Sequence, residues 1–88
     1  MNSLATSNFW KLYHELPESI RRADQEAFRD FRDDPKHPAL SLERLRCDPD
    51  SWPVRITRNY RAVGVKAGNS MTWYWIGSPS DFEKKFPV

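Results

Sequence analysis

The clearest hydrophobic pattern runs from Trp52 to Gly77, WPVRITRNYRAVGVKAGNSMTWYWIG. Apolar and polar residues alternate there in runs rich in Val, Ile, Tyr, Trp and Thr, broken at Arg58-Asn59 and at Ala67-Gly68-Asn69-Ser70. Period-two runs separated by turn residues predict antiparallel strands, here a meander over 53–57, 60–66 and 70–76. Loop length decides which side chains share a face, because a slip of one residue moves every side chain to the other side. A two-residue Arg58-Asn59 loop would place Arg61 among Val54 and Ile56, at a cost of roughly several kcal/mol for a buried charge. A three-residue Thr57-Arg58-Asn59 loop pairs Ile56 with Tyr60 and Arg55 with Arg61, leaving Val54, Ile56, Tyr60, Ala62 and Gly64 as one apolar face. The second register is preferred. A Gly68-Asn69 turn then pairs Gly64 with Trp73 and Ala62 with Trp75. On the opposite face it aligns Val63 with Tyr74 and Arg61 with Ile76, so that Arg55, Arg61 and Tyr74 become neighbours.

Before the sheet the period changes. Phe9, Leu12, Tyr13 and Leu16 fall at i, i+3, i+4 and i+7, predicting a short helix capped by Thr6 or Ser7 and ended by Pro17. A second helix opens on Pro17-Glu18 with Ile20, Ala23, Ala27, Phe28 and Phe31 as its buried stripe. Arg21, Arg22, Asp24, Glu26, Arg29 and Asp30 are expected to face water, and Asp33-Asp34-Pro35 ends the helix. The helical hairpin is expected to cover Trp73 and Trp75. Leu40, Leu42 and Leu45 are expected to anchor a short extended or turn-like segment before the sheet, and Ser80 is the expected N-cap of a last helical turn. The predicted class is α+β: a helical hairpin on one face of a small antiparallel sheet, with 1–88 as one domain.

Composition narrows the functions. Four Trp, five Phe and three Tyr in 88 residues supply a core, which argues against disorder. One cysteine, Cys47, excludes an internal disulfide framework and a multi-cysteine zinc site, and no metal or cofactor is expected. With no apolar run long enough to span a membrane and no signal peptide in view, the expected compartment is the cytoplasm. Fourteen basic against twelve acidic residues leave only +2, too weak to announce nucleic-acid binding. The distribution says more, since Arg44, Arg46, Arg55, Arg58, Arg61 and Lys66 are set against only Asp48 and Asp50 in that stretch. The positive potential therefore sits on the sheet half and can steer an anion. Like charges directly opposite in a sheet are unfavourable, so Arg55 facing Arg61 marks a place for an anion or acidic partner. The competing reading pairs each arginine with a carboxylate of the same chain. His37, beside prolines, and His14, on the first helix, read as structural.

Helix, helix, an HPxL turn, then WxVRIxxxYRA and a tryptophan-rich strand ending in WIG: this order resembles the RelE/ParE superfamily of small toxins from type II toxin–antitoxin systems. DDPKHPALSLERL and SWPVRITRNYRA carry the resemblance, which covers nearly the whole chain. It implies a cognate antitoxin as partner, with apolar surface around Trp10, Tyr13 and the C-terminal segment for it to cover. It further implies action on translation by binding and cutting ribosome-associated messenger RNA. Arg55 and Arg61 match the strand-borne basic residues placed at the chemistry; with Arg58, Lys66, Arg44, Arg46 and Tyr74 they form the expected phosphate-binding set. Pro79, Phe82 and Phe86 stand where that pattern has His or Arg and Tyr. A guanidinium is a permanent donor and transfers no proton near neutral pH. The chain's own residues therefore lead us to expect weak endoribonuclease activity or none. The alternatives are inhibition of DNA gyrase, as ParE-type relatives are implied to do, and a degenerate homologue that only binds antitoxin.

Overall fold

The structure is a computed structural model that describes residues 2–34, 50–57 and 59–86. In chain order it comprises β1 (Asn2–Ala5), α1 (Ser7–His14), α2 (Glu18–Asp33), β2 (Ser51–Arg55), β3 (Arg61–Ala67), β4 (Ser70–Gly77) and α3 (Pro79–Lys85). The HPxL segment, His37, Leu40, Leu42, Arg44, Leu45, Arg46, Cys47 and Arg58 lie outside the described residues.

The α+β class and the three-strand meander hold, but the sheet is mixed and has four strands in the order β1-β4-β3-β2. β1 runs parallel to β4, pairing Asn2 with Ser70 and Ala5 with Trp73. Its four residues, Asn2-Ser3-Leu4-Ala5, are too few to show a period in the sequence. Both turns of the meander follow the preferred register. Arg55 pairs with Arg61 across β2 and β3, and Ala67 pairs with Ser70 around Gly68, whose φ of 58° suits glycine.

One irregularity interrupts β4. Gly64 pairs with Trp73 but Val63 pairs with Trp75, so Tyr74 is an extra residue with no partner on β3. This bulge shifts every later pair: Ala62 faces Ile76 rather than Trp75, and Arg61 faces Gly77 rather than Ile76. The bulge is anchored from α1, where the Asn8 side-chain amide donates to the Tyr74 carbonyl at 3.0 Å. Gly64 is needed in the same region, because a Cβ there would lie 2.9 Å from both Met71 Sδ and Trp73 Cε3.

The bulge gives the sheet a core on each side. On one face Val54, Ala62, Met71, Trp73 and Ile76 pack against Phe9, Tyr13, Ala27 and Phe31 of the helices. Phe31 meets Trp73 edge-on with ring centroids 5.2 Å apart. On the other face Val63 and Trp75 pack against Phe86, with Phe82 and Tyr74 alongside. The helical hairpin therefore covers Trp73, while α3 covers Trp75 with only Leu12 of α1 packed against that second cluster. Helix α1 is capped by Thr6, whose hydroxyl accepts from Phe9 N at 3.2 Å. Helix α3 is capped by Ser78, which accepts from Asp81 N at 3.3 Å, rather than by Ser80.

Helix α2 is also turned from its expected orientation. Ala27 and Phe31 are buried, while Phe28 keeps 39% of its surface exposed. Asp24, expected in solvent, is half-buried on the stripe that Ala27 and Phe31 continue.

Candidate nucleic-acid interface

The candidate interface is built by one turn. Ile56 N donates to the Tyr60 carbonyl at 3.0 Å, which closes the loop between β2 and β3. The Thr57 hydroxyl accepts from Asn59 N at 3.3 Å and from Tyr60 N at 3.2 Å, fixing the chain reversal from inside. With that geometry the strands enter in register and Arg55 and Arg61 stand directly opposite on one face. Alternation along β3 puts Arg61 on the side of Val63, the α3-covered side, away from the helical hairpin.

The two arginines differ in setting. Arg55 is exposed, whereas Arg61 is half-buried and its Nη1 donates to the Tyr60 carbonyl at 3.2 Å and to the Thr57 carbonyl at 3.5 Å. Burial lowers the Arg61 pKa from its ordinary value, and the Arg55 charge opposite lowers it further. A guanidinium is a permanent donor, so the facing pair presents two cations to an anion at once. Gly77 is the β4 residue next to Arg61, and there is no space for a larger one: a Cβ there would lie 2.7 Å from the Trp75 ring.

Tyr74 reaches the same side, because the bulge turns it toward Phe86, with ring centroids 6.3 Å apart. Its hydroxyl shares a 2.8 Å hydrogen bond with Ser51 Oγ, and Ser51 is fully buried. Lys66 is not brought to this face. Its Nζ lies 5.7 Å from the centre of the Trp52 ring, on the side of the sheet that carries Trp73. Arg44, Arg46 and Arg58 fall outside the described residues. The C-terminal segment is scaffold here: Pro79 opens α3, while Phe82 and Phe86 pack on Trp75 with centroids 6.0 and 5.4 Å away. Among the described residues, no group of three or more His, Cys, Asp or Glu is placed to hold a metal ion. No helix among them is long and apolar enough to cross a membrane.

The model of the ParE-like toxin domain matches residues 17–84, from the start of α2 through the arginine-bearing hairpin to α3. The chain belongs to that family. Its members include toxins of the RelE/ParE superfamily, and the fold agrees with solved examples. The RelB-RelE antitoxin–toxin complex from Methanococcus jannaschii superposes with a TM-score of 0.77 at 15% identity, over 96% of this chain and 99% of that one. The YoeB/ParE toxin from Agrobacterium tumefaciens gives 0.72 at 18% identity, over 89% and 98%. The RelBE2 toxin–antitoxin complex from Mycobacterium tuberculosis gives 0.71 at 20% identity, over 88% of each chain. No curated protein sequence matches significantly.

Proposed function

We propose that this ParE-like toxin acts on translation by gripping the phosphates of ribosome-associated messenger RNA between Arg55 and Arg61, and that a cognate antitoxin neutralises it. The observation that carries the reading is the Arg55–Arg61 pair, set opposite each other on a face the helical hairpin leaves uncovered. Guanidinium groups match phosphate geometry in a way lysine does not, and a paired arrangement invites one bridging anion. The antitoxin is proposed because relatives of the same fold are described as toxin–antitoxin complexes.

Binding dominates over cutting in this reading. Cleavage by the 2′-hydroxyl needs one group to take a proton and another to return it. On that face the Tyr74 hydroxyl is engaged by Ser51, and Phe82 and Phe86, which stand where the resemblance expects a tyrosine, carry no group that could move a proton. The same shortage favours a gyrase-type target as the second reading, since inhibition by binding needs no proton transfer. Expression of the wild type and of Arg61→Ala, with primer extension on cellular messenger RNA and a gyrase supercoiling assay, separates the two. Growth arrest that Arg61→Ala abolishes, with translation stalled and supercoiling intact, is the expected result. Undiminished toxicity of Arg61→Ala removes the pair from the site.

A further inference from the structure

A cavity of 670 Å³ opens on the side of the sheet away from the arginines. Trp73 and Phe31 form its floor, Phe9 and Tyr13 of α1 and Ala27 of α2 its walls, and Leu4, Trp10 and Phe28 its rim. The rim is unusual for so small a protein: Leu4 is 62% exposed, Trp10 48% and Phe28 39%. Large apolar side chains gathered around one concavity mark a docking surface more often than scattered ones do.

Two polar features say what would dock. Trp73 is only 6% exposed, and its indole N–H, buried in the floor, has no acceptor among the described residues. A buried donor left unmade costs energy that an incoming acceptor would recover. The second feature is Asp24, whose carboxyl lines the wall without a hydrogen bond or ion pair among the described residues. Desolvation raises its pKa from 3.8 to about 6. The other titratable groups lining the cavity are Arg29, on α2 with Asp24, and Tyr13, whose hydroxyl accepts from the Gln25 amide at 3.1 Å. β1 and the strands of the floor contribute none. A groove with an apolar floor, one unpaired carboxylate and one unmet N–H donor is complementary to an apolar side chain flanked by a cation and a backbone carbonyl.

We infer that this groove docks a segment of a partner protein that inserts an apolar side chain over Trp73 and sets a lysine or arginine against Asp24. The inference rests on the reading of the chain as one half of a two-protein pair, and adds the chemistry by which the partner is held. It places that segment of the partner on the face opposite the arginines.

The test uses the full chain labelled with ¹⁵N at tryptophan. Two probes of equal shape, 3-phenylpropylguanidinium and neutral 3-phenylpropylurea, are titrated while the Trp73 indole resonance is followed. At pH 7.5, where Asp24 is ionised, the guanidinium should bind about fivefold more tightly than the urea, as a half-buried ion pair allows. At pH 5 that preference should disappear, and Asp24→Asn should abolish it at both pH values. Equal affinity of the two probes at pH 7.5, or a Trp73 resonance that neither probe moves, overturns the inference. A resonance that moves with protein concentration alone, alongside dimer in sedimentation, overturns it in favour of a second copy of this chain. Growth arrest reads toxicity and this titration reads groove chemistry, so the two readings fail separately.

Discussion

Asp24 carries an energetic penalty in the folded chain. Its carboxyl binds a proton more tightly when folded, with a pKa of about 6 against 3.8, so its contribution to stability is most favourable below pH 3.8 and declines as pH rises to 6. Above that the full penalty applies, on the order of 2–3 kcal/mol for a shift of this size. Asp24→Asn should therefore raise the unfolding free energy by on the order of 2 kcal/mol at pH 7.5, with little gain at pH 4. Urea melts at the two pH values check it, and an equal gain at both would assign the effect to packing instead. Arg55 is a second residue whose placement opposes stability, since it faces Arg61 directly. Arg55→Gln should stabilise the fold slightly, by roughly 0.5 kcal/mol at low salt and less at high salt, while weakening RNA binding. A variant that loses both stability and binding would instead assign Arg55 to the scaffold.

Among the elements, β4 and α3 show how far local rules reach. The three-residue loop at Thr57 and the two-residue turn at Gly68 were legible because turn chemistry and the cost of burying Arg61 point to the same register. The bulge at Tyr74 was not, because strict alternation leaves no place for an inserted residue, and Trp73-Tyr74-Trp75 looks the same with or without one. Missing it put Trp75 on the wrong face and left Phe82 and Phe86 to be read as lost chemical groups rather than as the second core. Asp24 was legible in principle: 24, 27, 28 and 31 also fall at i, i+3, i+4 and i+7, but its charge argued for solvent. The second core makes α3 structurally necessary. Phe86 is 6% exposed, and Phe86→Ala should cost about 3–5 kcal/mol. Gly64→Ala should cost about 1–3 kcal/mol, because its Cβ would press on Met71 and Trp73. Thermal denaturation measures both; a neutral Gly64→Ala would mean that the Met71 thioether moves aside without loss.

For the molecule as a whole, the sheet separates two surfaces of opposite character. A net charge of +2 on 88 residues gives a weak overall field, so any grip on nucleic acid has to come from locally concentrated charge. That concentration is the Arg55–Arg61 face, while the opposite face offers the apolar groove with its one carboxylate. The local origin has a measurable signature. Each cation that neutralises a phosphate of a single strand contributes roughly 0.7 to the slope of log affinity against log salt. Replacing both Arg55 and Arg61 with Gln should therefore reduce that slope by about 1.4 for a short single-stranded RNA followed by fluorescence anisotropy. Asp24→Asn, on the far face, should leave the slope unchanged. Loss of affinity without loss of slope would mean that the arginines shape the hairpin rather than meet phosphate, and the anion site would then have to be sought elsewhere on the sheet.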